Sequence, residues 1–234
     1  MSPVAYPLSV RASFDQPSRW LWLVKWFLLI PHYIVLLFLW LAFVIVTVIA
    51  FFAILITTRY PKALFDFNVG VLRWSWRVSY YGYSALATDR YPPFTLADVP
   101  DYPARLEIDY PEQLHRWLPL VKWLLAVPHS LIVGALVGTG YAVASNDMDN
   151  SRSFTYSGIS VVGACVLVAA VAMLFTERYP AGLYDLVVGV NRWSYRLVVY
   201  IALMTDRYPP LRLDQGDDDP EGPAAPVTAA AANP

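Results

Sequence analysis

Two histidines and four arginines recur in this chain at matched positions, and they are its clearest candidates for chemistry. His32 follows Pro31 within one apolar run, and His129 follows Pro128 within another. Two imidazoles related by an internal pseudo-twofold could clasp a haem or a metal ion. The simpler role is structural: a proline inside a helix frees the carbonyl one turn back, and the neighbouring histidine helps to satisfy it or marks the kink. No Cys, Asp or Glu falls beside either histidine to complete a ligand set, so the sequence assigns no metal and no cofactor.

The arginines sit in a repeated pattern. Asp66, Gly70, Arg73 and Arg77 are spaced four, three and four apart, as are Asp185, Gly189, Arg192 and Arg196, which puts each set on one helix face. Guanidinium groups on such a face can hold anionic phospholipid headgroups or the acidic surface of a partner. They can instead pair locally with Asp66 and Asp185. Lys25 and Lys122, beside Trp26 and Trp123, are expected to snorkel toward headgroups within an aromatic belt.

The elements that must position these residues are apolar. Of 234 residues, 57% are hydrophobic and only 15% charged, which points to lipid as the solvent of much of the chain. From Leu21 to Thr57 the only basic side chains are Lys25 and His32. The formal net charge of −1 gives no footing for nucleic acid, and a single cysteine, Cys165, excludes an internal disulfide. The first apolar run is too long for a cleavable signal peptide. No phosphate loop, zinc-protease helix or nucleophile elbow occurs, so no catalytic residue is assigned.

The chain is a duplication. Arg19-Trp20-Leu21 and Leu23-Val24-Lys25-Trp26 return as Arg116-Trp117-Leu118 and Leu120-Val121-Lys122-Trp123; Arg59-Tyr60-Pro61 returns as Arg178-Tyr179-Pro180. Gly70, Val71, Arg73, Trp74, Ser75 and Arg77 are matched by Gly189, Val190, Arg192, Trp193, Ser194 and Arg196, and both copies close on Thr-Asp-Arg-Tyr-Pro-Pro. The boundaries read as residues 1–101 for the first repeat, 102–213 for the second, and 214–234 for a disordered tail rich in Asp, Pro and Ala.

The second copy carries an extra polar stretch, Ser145 to Arg152, which splits its apolar run into Trp117–Ala144 and Gly158–Thr176. Each piece is about long enough to cross ~30 Å of hydrocarbon. If the copies fold alike, Leu21–Thr57 is a hairpin that turns near Trp40–Ala42; the alternative is one long tilted helix. The expected fold is therefore an all-α membrane protein of two tandem repeats. Each would hold a short strand, a transmembrane helical hairpin and an interfacial amphipathic helix, giving four transmembrane helices in all. Arg105–Tyr110 alternates as a strand does and pairs in expectation with Val10–Phe14. Positive charge gathers opposite the polar stretch, which places both termini and the central connector on the cytoplasmic side of a bacterial membrane.

These motifs together resemble a family of bacterial membrane proteins catalogued as domain of unknown function four-three-eight-nine. The cues are Pro-His in an apolar helix, Arg-Tyr-Pro-x-x-Leu-Phe-Asp-Phe, Gly-Val-x-Arg-Trp and the closing Thr-Asp-Arg-Tyr-Pro-Pro-Phe. Copy one fits over Tyr6–Phe94. Copy two fits over Tyr102–Leu211 and departs from the pattern at its polar stretch, Gly182, Leu186 and Leu211. The resemblance implies membrane residence and no activity. Three function classes follow from the residues: an accessory or scaffold subunit associating with other membrane proteins; a lipid-binding or lipid-transport protein; and a haem or metal protein using His32 and His129.

Overall fold

The computed structural model of the chain describes residues 6–138 and 160–214. Its elements run β1 (Leu8–Ala12), α1 (Trp22–Thr57), α2 (Lys62–Tyr81), β2 (Ala104–Ile108), α3 (Leu118–Val137), α4 (Val161–Thr176) and α5 (Ala181–Ile201). The helical fold and the small strand pair agree with the sequence reading. The polar stretch Ser145–Arg152 and nearly all of the expected tail lie outside the described residues.

The expected hairpin in the first repeat is not there. α1 is one continuous helix of 36 residues, roughly 54 Å long at 1.5 Å per residue. The reason is local: Trp40-Leu41-Ala42 supplies no glycine, proline or polar side chain, so nothing stops the backbone from continuing as helix. The second repeat explains why a hairpin looked attractive. α3 stops at Gly138, whose φ of 79° closes the helix, and α4 starts after Ser160, whose hydroxyl caps the Gly163 amide at 2.8 Å. A Cβ on Gly138 would lie 2.4 Å from the Ser160 Cβ, so the end of α3 meets the start of α4. The two helices have 20 and 16 residues, together as many as α1. The second repeat thus carries the same rod, interrupted at its midpoint.

Both rods end alike. Thr58 (φ 60°) and Glu177 (φ 57°) take the left-handed conformation and return their amides to Ile54 and Met173. The rods run antiparallel. Arg19, before α1, pairs with Glu177 after α4 at 2.6 Å, while the Leu114 amide before α3 donates to the Thr58 carbonyl at the far end of α1.

Expected at the membrane surface, the amphipathic helices α2 and α5 are instead interior. Trp76 and Val71 in α2 and Val187 and Val199 in α5 are fully buried, and burial is nearly continuous from Phe65 to Tyr81. Their polar face is covered by protein rather than headgroups. Rods pack on one side, and the strands, with the coil at Leu96 and at Leu213–Asp214, pack on the other. At Gly70 the coil comes so close that a Cβ would lie 2.8 Å from that of Leu96, which is why the arginine stripe contains a glycine.

β1 and β2 pair antiparallel with Val10 opposite Leu106, as the sequence suggested. These positions are equivalent in the two repeats, so the internal pseudo-twofold passes between them, perpendicular to the strands. Outside, α1 presents an unbroken apolar face, with Leu23, Ile34, Ile45 and Ile56 all exposed. α1 and α3 are both long and apolar enough to cross a membrane.

Candidate functional site

Each repeat builds one buried polar cluster from the residues singled out above, and the two clusters match atom for atom in most contacts. Lys25 and His32 lie seven residues apart on the inward face of α1, and Lys122 and His129 do the same on α3. Lys25 Nζ donates to the Thr88 carbonyl at 2.6 Å, lies 3.0 Å from Asp89, and sits over the Tyr81 ring at 4.6 Å. Lys122 Nζ donates to the Thr205 carbonyl at 2.8 Å, lies 2.7 Å from Asp206, and sits over Tyr200 at 5.2 Å.

The lysines therefore do not snorkel. Each is almost fully buried, and the closing Thr-Asp motif of its own repeat folds back to neutralise it. Asp89 and Asp206 enter the sequence reading only as part of the closing Thr-Asp-Arg-Tyr-Pro-Pro. The signal that could have exposed them is that Lys and Thr-Asp are duplicated together. Burial alone would raise the Asp89 carboxyl, but hydrogen bonds from Ser18 and Lys25 hold it below its ordinary value.

The histidines have a definite partner as well. Trp74 Nε1 donates to His32 Nδ1 at 3.1 Å, and Trp193 Nε1 donates to His129 Nδ1 at 3.0 Å. An accepting Nδ1 fixes the neutral tautomer with its proton on Nε2. Neither histidine satisfies the carbonyl freed by its proline. Instead Tyr91 and Tyr208 donate to the adjacent carbonyls of Leu28 and Leu125, at 3.2 and 3.1 Å. Phe94 stacks on His32 at 4.0 Å, whereas Leu211 stands at that position in the second repeat.

A shared haem or metal finds no support in this arrangement. Trp74 and Trp193 belong to two separate apolar clusters, each within its own repeat, so the histidines are not brought together. Among the described residues no group of three His, Cys, Asp or Glu side chains could hold a metal ion.

The arginines turn inward. Arg73 Nε donates to the Leu106 carbonyl of β2, and Arg192 Nε donates to the Val10 carbonyl of β1, both at 2.9 Å. These two bonds are related by the pseudo-twofold and tie each helix to a strand of the sheet. Arg77 donates to the carbonyls of Thr95 and Ala97, while Arg192 and Arg196 hold the Asp214 carbonyl at 3.0 Å and its carboxylate at 2.6 Å. Arg77, Arg192 and Arg196 are at most 2% exposed and Arg73 is half-buried, so these side chains have little or no surface to offer a headgroup or a partner. Burial lowers the Arg77 guanidinium from its ordinary value.

The expected helix-face pairing also changes. Asp66 pairs with Lys62 at 3.0 Å instead of an arginine, and half-buried Asp185 makes no ion pair among the described residues. Asp214, read from sequence as the start of a disordered tail, is a buried anchor.

Neither a curated protein nor a solved structure matches the chain. A family model described as domain of unknown function (DUF4389) matches residues 19–95 and 155–211, which span α1 and α2 in the first repeat and α4 and α5 in the second. With more than half of the chain matched in two segments, and with the twin clusters as its structural counterpart, the protein belongs to the DUF4389 family.

Proposed function

We propose that the protein is an integral membrane accessory or scaffold subunit of the bacterial cytoplasmic membrane, with both termini cytoplasmic, that associates with other membrane proteins through its apolar rods. One observation carries this reading: the buried cations Lys25, Lys122, Arg77, Arg192 and Arg196 are spent on holding the fold together, while large apolar side chains line the outside of α1 and α3. A body neutralised within and apolar without suits packing against lipid and against the helices of neighbours. Purification in mild detergent tests it. Stoichiometric membrane-protein partners should co-purify, and a lone, monodisperse protein would contradict the scaffold role.

Lipid binding is the second reading, favoured by a cavity of about 340 Å³ between α1 and α5 lined by Trp40, Phe43, Val44, Val48, Val198 and Ile201. A second cavity of about 400 Å³ adjoins it, shares Val48 and Ile201, and reaches Trp123. This pair suits an acyl chain better than a headgroup. Lipid retained through detergent exchange, and lost in Val48→Trp, would favour it. No observation favours the haem or metal alternative.

A further inference from the structure

We infer that α1 and the α3–α4 pair lie in the plane of the membrane, sunk into the hydrocarbon of its cytoplasmic leaflet, instead of crossing it. This orientation presupposes the membrane reading above.

Symmetry leaves two choices. The pseudo-twofold runs perpendicular to the β1–β2 pair between Val10 and Leu106, and it exchanges two antiparallel rods, so it passes between them level with their midpoints. Either the axis lies in the membrane plane and the rods stand upright, or it lies along the membrane normal and the rods lie flat.

Upright rods fail on four counts. At roughly 54 Å each rod is far longer than the ~30 Å hydrocarbon core. The strand pair would sit at mid-depth, and there Arg105, with Asp98 and Glu107 at 2.8 and 2.7 Å, is still about a quarter exposed. The end of α3 at Gly138 and the start of α4 at Ser160, with their helix-end backbone groups, would sit at mid-depth too. Exposed arginines Arg19 and Arg178 mark one end of the rod pair and Arg59 and Arg116 the other, so upright rods would put one set outside, against the positive-inside rule.

Flat rods meet all four. An α-helix is about 10 Å across and fits within one ~15 Å leaflet. Leu23, Ile34, Ile45 and Ile56 recur at three-turn spacing and are 46%, 54%, 54% and 74% exposed, so the apolar face does not fade toward the rod ends. An upright rod would leave those end residues in water. Trp20, Trp26, Trp117 and Trp123, all exposed near the two ends, are placed as interfacial anchors. The usual interfacial helix has a polar face toward water; here α2 and α5 cover the inner side of the rods instead.

Site-directed spin labelling tests the orientation in vesicles of phosphatidylethanolamine and phosphatidylglycerol. In a Cys165→Ala background, Leu23→Cys, Ile34→Cys, Ile45→Cys and Ile56→Cys are labelled one at a time. Depth is read from oxygen against nickel-chelate accessibility. Flat rods give four depths agreeing within about one helix turn, ~5 Å. A shallow-deep-deep-shallow series overturns the orientation and leaves membrane residence intact. Four labels as open to the nickel chelate as in water overturn both. Ser18→Cys and Arg59→Cys, at opposite rod ends, supply a second readout that does not perturb the apolar face. An impermeant maleimide should reach both from the cytoplasmic side alone, and labelling of one from each side rejects the flat rod.

Discussion

The first repeat holds a continuous rod and the second an interrupted one, yet three polar contacts inward of them are repeated. α1 passes unbroken through Trp40–Ala42, while α3 and α4 part at the equivalent point. The lysine–aspartate pair, the tryptophan–histidine bond and the arginine–strand bond appear on both sides at nearly equal distances. The difference teaches that the midpoint of the rod carries little of the fold. The organising contacts lie along the inner face, where cations meet carbonyls of the two strands and carbonyls and carboxylates of irregular coil.

Breaking the arginine–strand bond should separate the repeats most. Arg192 is fully buried and holds both the Val10 and Asp214 carbonyls, whereas Arg73 is half-buried and holds the Leu106 carbonyl. Arg192→Met orphans two buried acceptors and should cost about 3 kcal/mol or more, against roughly 1 kcal/mol for Arg73→Met. Denaturant unfolding in detergent measures both, and equal costs would show that the pseudo-equivalent bonds are energetically the same.

Acid sharpens the lysine pair of the first repeat. The Asp89 pKa is held below its ordinary 3.8 in the folded state. The pair therefore contributes fully above the unfolded-state value and loses that contribution as pH falls below about 4 through the folded pKa. Asp89→Asn should flatten this acid limb of the stability curve by on the order of 1 kcal/mol. An unchanged limb would mean that Lys25 is held by the Thr88 carbonyl alone.

Trp74→Phe and Trp193→Phe each remove a donor from a buried Nδ1 and should cost about 1 kcal/mol. Phe94 still stacks on His32 while Leu211 stands at the matching position in the second repeat, so the second substitution should cost more. The clusters are separate, so the double variant should be additive within about 0.5 kcal/mol.

The smallest effect should come from the interruption itself. Deleting residues 139–160 with Gly138→Ala sets position 138 where Leu41 stands in α1 and should join α3 to α4 in register. A loss under about 1 kcal/mol is expected, since α1 already shows that the unbroken rod fits. Loss of folding would show that the two halves depend on being apart.

Much of this was legible in the sequence. The duplication, the strand pair and the shared face of Gly70, Arg73 and Arg77 follow from spacing, because period and order survive in one dimension. What covers that face does not follow from spacing. An arginine stripe on an amphipathic helix reads alike whether headgroups or the Thr95 and Ala97 carbonyls meet it, and those carbonyls lie on irregular coil with no pattern of its own. The continuous α1 was obscured for the opposite reason: where every position is apolar, period cannot tell a hairpin from a rod. Asp214 was hidden by composition, since it opens a run of acidic and small residues that reads as tail.

The central claim is that the repeated arginines hold the interior and do not face the membrane. The most direct test compares wild type with a variant carrying Arg73→Gln, Arg77→Gln, Arg192→Gln and Arg196→Gln, and with the two variants that confine the changes to one repeat. Thermal stability and retained anionic lipid per folded molecule are both measured in detergent. Melting temperature should fall sharply for every variant, most for the quadruple change and, of the two single-repeat variants, more for the one carrying Arg192→Gln and Arg196→Gln, with lipid retention unchanged in whatever folds. Variants that keep their melting temperature and lose their anionic lipid would contradict it.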